Sequence, residues 1–198
     1  MTKRYESAPT EWDCRIVRSD IDKNGAPRTE RLTLPLDGLV EYWGQSYAAR
    51  GPICASITAN IAGGEDIMAR VEVEGEFSLP CSRCLAETGL AIRGDMRYLF
   101  TLRRGFEPSG KKGRGEGGEG DFPDGDVDVI RLDLYQSEID LAQCVWETLI
   151  LSLPEGVLCR EDCRGICPIC GADKNERECG CVLDGVDPRL AVLRGSME

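Results

Sequence analysis

The sequence predicts an α+β fold: an antiparallel β-meander packed by one main helix, with a cysteine-rich C-terminal appendage. Three observations carry that prediction. Residues 53–100 alternate apolar and polar side chains with a period of two, the mark of strands with one buried and one wet face. Residues 137–154 repeat apolar side chains at helical spacing. Residues 158–181, LCREDCRGICPICGADKNERECGC, hold six of the chain's 11 cysteines. The domain boundaries follow: an α+β domain over 1–157, a cysteine-rich segment over 158–181 docked on it, and a tail over 182–198.

Residues 1–50 are the least legible. CRIV and RLTLPL read as short strands, the second on Leu32, Leu34 and Leu36, with Pro35 confining it to an edge or an end. Trp12, Tyr42 and Trp43 are expected to pack on the core.

The meander is the clearest stretch. Ile53, Ala55, Ile57, Ala59 and Ile61 alternate with polar or small residues, and AGGED makes a turn. Val71, Val73, Phe77 and Leu79 then alternate with Arg70, Glu72, Glu74 and Glu76. After PCSRCLAE, Leu90, Ile92, Met96, Tyr98 and Phe100 alternate with Arg93, Asp95 and Arg97. Three antiparallel strands result, with Cys81 and Cys84 at the second hairpin tip and Pro80 at a strand end.

Residues 103–125 are rich in glycine and mixed charge, with Arg103, Arg104, Lys111, Lys112 and Arg114 forming a basic half. They offer little area to bury against the ordering cost, which predicts a disordered loop. VDVIRLDL reads as a further strand. SEIDLAQCVWETLILSLP reads as a helix with Ser137 as N-cap and Pro154 just past its end. Ile139, Ala142, Trp146, Leu149 and Leu153 share its apolar face, widened by Leu141, Val145 and Ile150.

Eight cysteines form four close pairs: Cys81/Cys84, Cys159/Cys163, Cys167/Cys170 and Cys179/Cys181. Close pairs separated by spacers are the usual form of a structural zinc site, because zinc takes four soft ligands in a tetrahedron and a tight turn supplies two of them. Pro168 fixes one φ in the CPICG turn, and Gly171 can take a positive φ. The short ADKNERE loop favours a local site of Cys167, Cys170, Cys179 and Cys181 on closure entropy. That leaves Cys81, Cys84, Cys159 and Cys163 for a long-range site that would cross-link the tail to the hairpin; a single tail site, with one zinc ion rather than two, is the alternative. The appendage is thus expected to be a zinc knuckle. Cys144 lies off the main helix stripe with no partner in register, and it, Cys14 and Cys54 read as buried or free thiols.

Three other readings of the thiols are weaker. A disulfide framework does not suit an odd cysteine count or a start, MTKRYESAPTEWDC, without a secretory apolar region; a cytoplasmic location with reduced thiols is expected instead. A redox C-x-x-C at Cys81–Cys84 would need a βαβ setting and usually stands alone. An iron–sulfur cluster would suit the thiolates, but the tail matches neither common ferredoxin spacing.

The chain has no histidine, which removes histidine-based general acid–base and nucleophile chemistry. No paired carboxylates, phosphate loop or nucleophile–base pair is visible, so no enzyme is expected and no small-molecule substrate. No apolar run reaches membrane-spanning length. The formal net charge of −11 opposes broad binding to phosphate backbones and argues against a DNA-binding role.

PCSRCL, a D-L…L-x-L-P helix exit and LCREDCRGICPICGADKN…CGC together resemble the YceD family of large ribosomal RNA subunit accumulation proteins. The likeness runs from about Ile53 to Cys181; the tail motif is long and specific, whereas the first third fits loosely and the 103–125 insert matches no motif. The resemblance implies a non-catalytic cytosolic factor needed for normal levels of 23S ribosomal RNA and for large-subunit biogenesis. It implies ribosomal RNA, a large-subunit ribosomal protein, or both as partners, and the eight paired cysteines as the family's motif positions. Direct RNA contact would have to use local groups such as Arg160, Arg164, Lys174 and Arg177, which lie amid five acidic residues. A thiol redox protein using Cys81–Cys84 is the alternative function.

Overall fold

The computed structural model describes residues 3–21, 26–102, 127–132 and 137–181. The glycine-rich loop expected at 103–125 and the tail expected at 182–198 lie outside them. The described strands are β1 (Arg4–Tyr5), β2 (Arg15–Val17), β3 (Arg28–Leu34), β4 (Leu39–Tyr42), β5 (Gln45–Ala49), β6 (Ile53–Gly63), β7 (Asp66–Pro80), β8 (Glu87–Thr101), β9 (Val127–Arg131) and β10 (Glu138–Asp140), followed by the helix α1 (Ala142–Leu151). The described residues fall into two compact units, one within 1–79 and 89–155, the other within 80–88 and 156–198.

In the first unit the expected meander is present and carries further strands. The path β1-β4-β5-β7-β6-β3 is joined by β8 on β7 and by β9 on β8. β6 and β7 pair antiparallel, Ile57 opposite Val71, with a register shift between Ile61 and Gly63 at the turn. Arg70 pairs with Asp95 and Glu74 with Arg93, so residues advancing along β7 meet residues receding along β8, the antiparallel sense. β1 and β9 pair parallel with β4 and β8, which makes the sheet mixed. β3 ends at Leu34, one residue before Pro35, and closes one end of the strand order.

Period two has the expected consequence. Ile53, Ile57, Val71, Val73, Phe77 and Tyr98 are fully buried. The opposite face of β7 and β8 carries the Arg70–Asp95 fork, at 2.9 and 2.6 Å, and it is this guanidinium that holds the Asp95 carboxyl below its ordinary value. These exposed pairs hold register more than they stabilise, since exposed ion pairs contribute about 0–1 kcal/mol.

The helix starts later than its sequence suggests. Glu138–Asp140 forms β10 and pairs antiparallel with β2, Ile139 opposite Ile16, so Ser137 is not the N-cap. The Asp140 carboxylate instead accepts the Ala142 N–H at 2.9 Å. Ile139 is buried either way, because the strand's inward face and the expected helical stripe coincide there.

Trp146 and Leu149 of α1 are buried, and the Trp146 ring meets Trp12 edge-on at 6.0 Å. Buried Thr148 donates to the Cys144 carbonyl at 2.7 Å and meets the Tyr98 hydroxyl at 3.0 Å, so these polar atoms are satisfied inside the core. Gly94 of β8 lets the helix approach closely: a Cβ there would lie 2.8 Å from the Thr148 carbonyl oxygen.

Trp43 departs from expectation. It is 74% exposed, at the tip of the β4–β5 hairpin. Trp43 and Gly44 have φ of 52° and 73°, the positive pair that a two-residue hairpin turn of type I′ requires, and this geometry turns the indole outward. Trp12 is buried as expected, whereas Tyr42 is half-buried. No helix among the described residues is long and apolar enough to cross a membrane.

Candidate metal centres

The second unit is built from two turns of the same design. In the first, the Leu85 N–H donates to the Cys81 carbonyl at 3.0 Å and the Cys81 N–H donates to the Ala86 carbonyl at 2.8 Å. In the second, the Gly171 N–H donates to the Cys167 carbonyl at 2.8 Å and the Cys167 N–H donates to the Ala172 carbonyl at 2.8 Å. The fifth residue of each turn is left-handed, Leu85 at φ 63° and Gly171 at φ 70°. The turns aim backbone N–H groups at the leading sulfur, as with Arg83 N–H to Cys81 Sγ at 3.4 Å.

Each turn presents two sulfurs, and later residues bring two more. Cys81, Cys84, Cys159 and Cys163 form one quartet, centre A, and Cys167, Cys170, Cys179 and Cys181 form another, centre B. Within each, the four sulfurs lie within 4.8 Å of one another. In centre A, Cys81 Sγ is 3.8 Å from Cys163 Sγ, and Cys84 Sγ is 3.6 Å from Cys159 Sγ. Zinc–sulfur bonds of about 2.3 Å directed to a tetrahedron set sulfurs about 3.8 Å apart, so the spacing fits a four-thiolate ion. The grouping is the two-site partition expected from the sequence, with the local site at the tail and the long-range site at Cys81 and Cys84.

Electrostatics favours a cation in both quartets. The N–H groups of Cys84 and Arg83 bring the Cys81 thiol down to about 6, and those of Cys170 and Ile169 do the same for Cys167, also to about 6. The remaining thiols cannot all follow, because each new thiolate repels the last. Hydrogen bonding to Cys84, with burial, pushes Cys159 up to about 12, and the corresponding bond to Cys170 pushes Cys181 up to about 12. A divalent cation is the ordinary way to hold four such sulfurs as thiolates together.

Further bonds fasten centre A. The Ser82 N–H donates to the Val157 carbonyl at 2.8 Å, and the Ile166 N–H to the Arg83 carbonyl at 3.1 Å. The Arg83 guanidinium donates to the Cys163 carbonyl at 2.9 Å. Cys81 is wholly buried and Cys163 nearly so, whereas Cys159 is exposed.

The other three cysteines stand apart from both quartets. Cys14 and Cys144 are buried in the first unit, and burial pushes their thiols up to about 11 and about 12. Cys54 is exposed. Of the basic residues near the quartets, Arg160 pairs with Asp162 and Arg164 with Glu178, each at 3.4 Å, a mixed-charge surface.

One residue escaped the sequence reading. Asn175, in the loop between the two ligand pairs of centre B, donates from Nδ2 to Cys163 Sγ of centre A at 3.4 Å. Nothing in a single sequence marks an asparagine in a short polar loop for that role.

No curated protein and no solved structure matches the chain. The sequence model of one family, described as large ribosomal RNA subunit accumulation protein YceD, matches residues 69–195. That span covers well over half of the chain and includes all eight paired cysteines, and so the chain belongs to the YceD family.

Proposed function

We propose that the protein is a zinc-stabilised, non-catalytic factor that supports accumulation of 23S ribosomal RNA in large-subunit biogenesis. The family's description supports the pathway. The observation that carries the metal reading is the gathering of eight sulfurs into two groups of four, each within 4.8 Å. Zinc bound there would supply a structural cross-link: each ion ties a tight turn to a more distant stretch of chain, with no open coordination position for a substrate.

A basic ribosomal protein is the better-supported direct partner. The net charge of −11, made more negative still by eight thiolates on two dications, steers basic polypeptides and repels phosphate backbones. The two turns also carry exposed apolar side chains, Leu85 at 64% and Ile169 at 56%, which suit protein contact. Ribosomal RNA remains the alternative partner through Arg160, Arg164, Lys174 and Arg177.

The redox alternative draws support from the lowered Cys81 thiol, but a redox nucleophile also needs access, and Cys81 is 0% exposed. Elemental analysis of protein purified without added metal tests the reading. About two zinc atoms per chain, with thiols unreactive until chelation, is the expected result; metal-free, fully folded protein with a reactive Cys81 would replace it with the redox reading. Co-purification with a large-subunit ribosomal protein, against gel-shift titration with 23S fragments at low salt, separates the two partners.

A further inference from the structure

We infer that Asn175 is a positioning residue that makes the metal affinity of centre A depend on occupation of centre B. The inference rests on the zinc reading above and goes beyond it, since two independent structural ions would need no such link.

Asn175 belongs by sequence to centre B, in the eight-residue stretch between Cys170 and Cys179. By contact it belongs to centre A. Its Nδ2 donates to Cys163 Sγ at 3.4 Å. Its Oδ1 accepts from the Arg164 backbone N–H at 2.8 Å and from the Arg160 guanidinium at 2.7 Å. The two donors on Oδ1 fix the amide's orientation, so the group that faces the sulfur must be the N–H₂. A single side chain thus grips the stretch carrying Cys159 and Cys163 by three bonds. Donors to a ligating atom are the outer partners whose loss typically lowers metal affinity about 10–100-fold.

Asn175 is held in place by the centre B loop. Its own N–H donates to Asp173 Oδ1 at 2.7 Å. Ile166 and Asp173 form an antiparallel bridge, and the Lys174 N–H donates to the Gly165 carbonyl at 2.9 Å. The loop carries few apolar residues, so its order depends on closure at both ends. A metal on Cys167, Cys170, Cys179 and Cys181 supplies that closure; without it the ordering entropy falls on a handful of hydrogen bonds. Metal at centre B therefore presents Asn175 to Cys163, and by linkage metal at centre A steadies the loop for centre B.

The test loads the full-length protein with cadmium-113, whose two centres give separate resonances, and removes metal with a competing chelator. Cys170→Ser disables centre B; Asn175→Asp keeps the acceptors for Arg164 and Arg160 but loses the donor to Cys163. With centre B intact, Asn175→Asp is expected to shift the centre A resonance and weaken centre A about 10–100-fold. Cys170→Ser is expected to weaken centre A by a similar factor, and to add little in the Asn175→Asp background. Unchanged centre A affinity in Cys170→Ser would overturn the inference, as would an equal loss in both backgrounds. Wild-type protein that takes up no cadmium would instead overturn the zinc reading beneath it. Near-ultraviolet circular dichroism from buried Trp12 and Trp146 checks that the first unit stays folded in each variant.

Discussion

At the scale of single residues, the two cysteine turns offer a controlled comparison. They share one hydrogen-bond pattern, yet the left-handed position is glycine in one and leucine in the other. A residue with a Cβ in that conformation costs roughly 1–2 kcal/mol, and the Leu85 side chain, 64% exposed, recovers little of it by burial. Leu85→Gly is therefore expected to stabilise centre A by about 1 kcal/mol after the extra chain entropy of glycine is deducted. The readout is the chelator concentration that half-empties the centre, which should rise about fivefold; a fall would mean that Leu85 packs in the loaded protein. If Leu85 contacts a ribosomal protein, the same variant binds that partner less well while holding metal better, and the opposite signs separate a contact role from a structural one. The four cysteine pairs were legible in the sequence by spacing, but their division into two quartets rested on loop closure, with a single tail site left open. Leu85 and Asn175 were not legible, since one depends on a backbone angle and the other on a contact made only after folding.

At the scale of elements, β6, β7 and β8 could be read directly because one face is buried and the other wet along much of each, although 66–69, 77–79 and 98–101 are buried on both faces. The hairpin of β4 and β5 hid behind a Trp-Gly turn in place of the usual Asn-Gly, and the parallel partnership of β8 with β9 leaves no local periodicity to read. The start of α1 was misread because Glu138–Asp140 pairs with β2, a tertiary contact that overrides the helical spacing of Ile139. The seating of α1 on β8 depends on Gly94, which the alternation of apolar and polar residues does not single out. Gly94→Ala would put a Cβ 2.8 Å from the Thr148 carbonyl oxygen, a backbone atom that can retreat only if the helix moves. The expected cost is about 1–3 kcal/mol, the range for overpacked cores, seen as a lower denaturant midpoint with unchanged metal content. The neighbouring Tyr98–Thr148 hydrogen bond, 3.0 Å in the native protein, should be strained in the same variant. A neutral Gly94→Ala would mean that α1 has room to shift.

At the scale of the molecule, the division into two units makes metal removal a selective perturbation. The first unit buries Trp146, Tyr47, Tyr98, Phe77 and a run of β-branched residues, an extensive apolar core. The described second unit buries little besides four cysteines and Ala172, and its backbone bonds join turns rather than strands. Structural zinc contributes about 10–16 kcal/mol in isolated fingers, comparable with the whole stability of an ordinary domain. The second unit should therefore depend on metal and the first should not. On chelation, hydrogen exchange is expected to lose protection at the Cys81, Ile166, Cys167 and Lys174 amides, whose bonds lie within 80–88 and 156–181. Amides of Val71 and Ile57, in the paired centre of β6 and β7, should keep theirs. Protection lost everywhere at once would make the two units one cooperative structure and the zinc ions its foundation. Protection kept at Cys167 and Lys174 would mean that the loop carrying Asn175 is ordered without metal, and occupation of centre B could then no longer govern centre A.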